Sequence, residues 1–162
     1  MFIKILPLFL ALGLFFGNGV VPEDFDYIGS AKCKSCHNSP AKGAQYKKWA
    51  AGPHANAMKS LTGDELKDPK CLKCHSTAGH VDEDFIATLT QKEGVGCESC
   101  HGAGSDYKSM SVMKSREKSV AKGLILPDAK LCVTCHNDES PHFKGFDFDE
   151  YMKKIDHSKP AS

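Results

Sequence analysis

All eight cysteines fall into four copies of one five-residue pattern, a Cys-x-x-Cys pair followed at once by His. The copies are Cys33-Lys34-Ser35-Cys36-His37, Cys71-Leu72-Lys73-Cys74-His75, Cys97-Glu98-Ser99-Cys100-His101 and Cys132-Val133-Thr134-Cys135-His136. No thiol lies outside them. Paired Cys-x-x-Cys units can build tetrahedral zinc sites, but zinc does not require His directly after every second Cys. Disulfides across such tight loops would staple almost nothing, and a thioredoxin-like motif comes once per chain rather than four times. Two thiols three residues apart can instead add to the two vinyl groups of one porphyrin, with the following His held beneath the iron as proximal ligand. The pattern predicts four c-type haems. Cys33, Cys36, Cys71, Cys74, Cys97, Cys100, Cys132 and Cys135 would attach them, and His37, His75, His101 and His136 would be the proximal ligands.

The start of the chain predicts a compartment in which this chemistry is done. Met1 to Lys4 is a short basic start, Ile5 to Phe16 an apolar run, and Gly17-Asn18-Gly19 supplies small residues. That is the layout of a secretory signal peptide, and it is too short to span a bilayer. The expected organisation is a signal peptide over 1–19 and a tetrahaem domain over 20–162, exported to the periplasm or beyond and without stable membrane insertion. A net charge of +1 and a single arginine, Arg116, leave no basic stripe for nucleic acid. Four flat apolar porphyrins supply most of the core that a chain this short lacks, so the polypeptide is expected to be close to unfolded without them.

The motifs begin at 33, 71, 97 and 132, unequally spaced and with unlike segments between, which excludes a solenoid of repeats. Apolar spacing and breakers predict helices over about 41–51, interrupted by Gly52-Pro53, and over 54–61. A polar loop is expected over 66–69, and a short helix or extended run over 84–92. The longest helix is expected over 109–122, stopped by Gly123 and Pro127, and a last one over 148–155. No stretch alternates with period two. The expected class is all-α, short helices and loops wrapped around haems with little β structure.

The segment Gly94-Val95-Gly96-Cys97-Glu98-Ser99-Cys100-His101-Gly102-Ala103-Gly104 closely resembles the third haem-binding segment of the tetrahaem cytochrome c-554 family. Tyr27-Ile28-Gly29-Ser30, Trp49 to Met58 and Phe148-Asp149-Glu150 fit the same family, and the resemblance covers most of the mature chain. The loops between motifs look shorter here, and Ala103 stands where the family often has Pro. The family was first described for the electron acceptor of hydroxylamine oxidoreductase in ammonia-oxidising bacteria. The resemblance implies that His54 is the distal ligand of the third-motif haem and His157 that of the fourth-motif haem. For the first haem the family uses a His about ten residues after the third motif. Here that neighbourhood offers Met110 and Met113, whose thioethers can ligate haem iron or merely fill the buried stripe of a helix.

The second haem has no sixth ligand in the type protein. His80 follows His75 by five residues, a reach of at most about 17 Å even when extended, so it is poorly placed to round a porphyrin edge. His142 is a freer candidate. Electron transfer between redox partner proteins is the expected function. The alternative is an enzyme acting on a small nitrogen oxide, for example reducing nitric oxide, at an open second haem. Self-association into a longer wire is a third class.

Overall fold

The computed structural model describes residues 25–158, so the expected leader at 1–19 lies outside the described residues. The α-helices are α1 (Ser30–His37), α2 (Gln45–Ala51), α3 (Pro69–His75), α4 (Cys97–His101), α5 (Met110–Met113), α6 (Arg116–Ala121), α7 (Ala129–Cys132) and α8 (Phe148–Ile155). Short 3-10 segments join them, including His54–Ser60 and Gly63–Lys67. Among the described residues, pairing of β type is limited to one isolated parallel bridge, Tyr27 to Ile86. The fold is helical, as expected. No helix among the described residues is long and apolar enough to cross a membrane.

Each motif is itself helical or begins in a helix. That follows from helical spacing, because residues three and four apart share a face. One turn therefore presents both thiols and the imidazole to the same side. In the fourth motif α7 ends at Cys132, but the His136 amide still donates to the Cys132 carbonyl at 3.0 Å and keeps the turn. Asp side chains start three of the helices. Asp68 accepts from the Lys70 amide at 2.8 Å with Pro69 in the first turn, Asp128 from Leu131 at 3.0 Å, and Asp147 from Glu150 at 2.8 Å. Each satisfies an amide that the helix leaves without a partner.

The expected helix over 109–122 is two helices, α5 and α6, bent at Ser115. The Ser115 hydroxyl caps α6 by accepting from the Lys118 amide at 3.2 Å. Ser119, fully buried, donates back to the Ser115 carbonyl at 2.9 Å and lies 3.1 Å from the Val112 carbonyl. Serine hydroxyls compete with the helical ladder in this way, and hydrophobic spacing does not register it. The region 54–61 is a 3-10 rather than an α segment, and 148–155 is the helix expected.

The protein core is small. Ile28, Ala44, Leu72, Leu89, Ala103 and Tyr107 are the buried apolar residues. At its centre the buried Glu98 carboxylate accepts from three amides: Ile28 at 3.0 Å, Gly29 at 2.7 Å and Gly104 at 2.7 Å. This acid, inside the third motif, ties the segment before the first motif to the loop after the third. Gly102 has φ +74°, and a Cβ there would lie 2.5 Å from the Gly123 carbonyl oxygen, so the close turn after His101 requires glycine.

Candidate haem sites

The four motifs are brought together in the order first, third, fourth, second. The Cys97 amide donates to the Ser30 hydroxyl of α1 at 2.8 Å, and Cys33 and Cys97 are neighbours, joining first to third. Cys100 of the third lies beside Cys132 and Cys135 of the fourth, and burial together with those thiols pushes it up to about 11. Cys135 of the fourth brings its sulfur to 4.0 Å from the Lys73 carbonyl in the second, and burial together with the neighbouring Cys135 raises Cys74 to about 11. An ion pair between Lys73 and Glu139 closes the second motif against the fourth. The four motifs thus form a continuous row, which the unequal sequence spacing does not reveal.

Two histidine pairs face each other across gaps of one size. His54 and His136 have ring centroids 6.0 Å apart with planes at 54°, and His101 and His157 have centroids 6.0 Å apart at 81°. Two imidazoles ligating one metal ion from opposite sides, each through a nitrogen about 2 Å away, have centroids about 6 Å apart. Burial lowers the pKa of His54, His101 and His136, which keeps the rings neutral, the form that binds a metal.

These pairs exchange the partners that the family resemblance implies. His54 faces the fourth motif rather than the third, and His157 faces the third rather than the fourth. The reason is visible at His54. Its carbonyl accepts from the Val95 amide at 3.0 Å, so its backbone does lie against the third motif. Gly94 allows that approach, since a Cβ there would lie 2.9 Å from the His54 oxygen. Trp49 adds a bond from its indole nitrogen to the Val95 carbonyl at 2.9 Å. The ring itself projects the other way. It borders a cavity of about 290 Å³ with Cys132 and His136 on the fourth-motif side and Phe146, Met152 and Ile155 among its walls.

Backbone carbonyls orient the other rings. Nδ1 of His75 lies 2.9 Å from the Ala57 carbonyl, of His101 3.3 Å from Ile125, and of His157 2.9 Å from Ile155. A carbonyl only accepts, so each Nδ1 carries the proton and each Nε2 is left to bind iron. The residues present therefore fit covalent haem.

The remaining candidates differ. Among the described residues no aromatic or imidazole ring pairs with His37 or His75. Met110 is 60% exposed, whereas Met113 is half-buried with its sulfur 3.9 Å from the Ser119 hydroxyl. His80 turns its Nδ1 to the Ser76 carbonyl at 3.1 Å, close to its own helix end. His142 is exposed, beside Cys135 and His136. Sequence reasoning missed Glu98 and the orienting carbonyls. An acid amid Gly94, Gly96, Gly102 and Gly104 was a signal for the first, but a carbonyl belongs to every residue and leaves none.

A family model described as cytochrome c554 and c-prime matches residues 32–102. Cytochrome c-554 of Nitrosomonas europaea is 29% identical across 82% of this chain and 74% of its own length. The C-type polyheme cytochrome OmcB of Geobacter sulfurreducens is 31% identical over 43% of this chain and 9% of that much longer protein. The solved structure of reduced cytochrome c554 from Nitrosomonas europaea superposes with a TM-score of 0.56 at 25% identity, covering 82% of this chain and 84% of that one.

Proposed function

We propose that this chain, a member of the cytochrome c-554 family that binds c-type haem covalently, is an exported tetrahaem electron carrier between redox partner proteins. The single observation that carries the proposal is the row of motifs, each in contact with the next. When bound, the haems supply reversible one-electron chemistry, and the chain sets its energetics through axial ligands, burial and nearby charge.

In this reading Cys33 and Cys36, Cys71 and Cys74, Cys97 and Cys100, and Cys132 and Cys135 hold the four haems. His136 and His54 enclose the fourth haem, and His101 and His157 the third. Met110 is the distal residue of the first, because Met113 is engaged by Ser119 while the Met110 side chain stands exposed. The leader at 1–19 supports export.

Potentiometric titration with a protein donor and acceptor tests this. Stoichiometric, reversible uptake of four electrons without consumption of a small substrate is expected. A second reading, reduction of a small nitrogen oxide at the second haem, is favoured by one observation, the absence of a ring facing His75 among the described residues. Catalytic turnover of nitric oxide by the purified protein would establish that reading in place of the carrier.

A further inference from the structure

We propose that Ser60 is a positioning residue for His75, setting how much negative charge the ring can carry when it ligates the second haem. The proposal rests on the reading that the second motif holds a haem. Nδ1 of His75 lies 2.9 Å from the Ala57 carbonyl and 3.2 Å from the Ser60 hydroxyl oxygen. The Ser60 hydroxyl donates its own proton to that same carbonyl at 2.7 Å. With its proton committed there, its oxygen can only accept from His75. The Nδ1–H is therefore shared between two oxygens held in fixed register by one 3-10 turn.

This arrangement is unlike those at His101 and His157, where a backbone carbonyl alone faces Nδ1. It is also the one a single side chain can change. A stronger acceptor at Nδ1 makes the imidazole a more basic ligand and favours the oxidised iron; a weaker one does the reverse. The same segment begins at His54, which faces the fourth motif. Seven residues at a rise of about 2 Å each separate the two ends by roughly 12 Å. Ser60 is exposed, so exchange there removes no packing.

The test uses the holoprotein carrying Ser60→Asp or Ser60→Ala, titrated so that all four haems are resolved. Ser60→Asp is expected to favour the oxidised form of one haem at least tenfold, about 59 mV for one electron, with the other three unmoved. Ser60→Ala should move the same haem in the opposite direction and less. The iron–histidine stretch of the reduced protein should rise with Asp and fall with Ala wherever that haem lacks a sixth ligand. Four unchanged potentials overturn the proposal. So do a common drift of all four, which marks loosened packing, and a shift with Asp but none with Ala, which marks through-space charge. Failure of the underlying reading looks different: the wild-type protein would carry fewer than four haems.

Discussion

His54 and His136 face each other with ring centroids 6.0 Å apart, one from the start of the 3-10 segment that follows α2 and the other from the last motif. The distance is that of two imidazoles sharing a metal ion. Replacing His54 by Ala should convert one low-spin iron to high-spin while all four haems stay attached, and the perturbed iron should be that of His136. Electron paramagnetic resonance with assigned signals checks both parts. A change at the His101 iron instead would restore the pairing implied by family resemblance.

His157 gives the complementary result. His157→Ala should open the iron of His101 and leave that of His136 closed. The imidazole planes differ, 81° at His101–His157 and 54° at His54–His136, so the two irons should give distinguishable signals in the parent protein. An unchanged spin count on this substitution would remove His157 from the ligand set.

Met110→Leu should turn the first haem high-spin, and Met113→Leu should not. Thioether ligation raises the potential relative to a second histidine, so Met110→His should restore a low-spin iron at lower potential. Redox titration of the three variants decides it. Equal effects of the two Leu variants would mean that both methionines only pack.

Glu98→Gln tests the buried acid that joins the first and third motifs. Three amides point at the carboxylate, and an amide side chain would turn its own donors towards at least one of them. Bonds to a charged buried group are worth about 1.5–3 kcal/mol, so the variant should lose about that much stability. Thermal unfolding should fall by several degrees while the haem count stays at four. A variant as stable as the parent would show that this acid is peripheral to the fold.

What was legible in the sequence was the chemistry of adjacent residues. The thiol spacing and the following histidines pointed to c-type haem, the absence of alternation indicated a helical class, and 148–155 formed the helix its pattern indicated. What was not legible was long-range. The order in which the motifs meet depends on packing between Cys33 and Cys97 and between Cys74 and Cys135. The direction of the His54 ring depends on a backbone bond to Val95, which places the residue near one motif and its side chain near another. The break at Ser115 came from hydroxyls competing with the helix, an effect that apolar periodicity does not encode.

The most direct test of the central claim is intact mass of the mature protein, with a thiol assay on the same sample. A mass raised by four haems and no titratable thiol are expected, all eight cysteines being consumed. Fewer than four haems, free thiols or bound zinc in matured protein would contradict that claim.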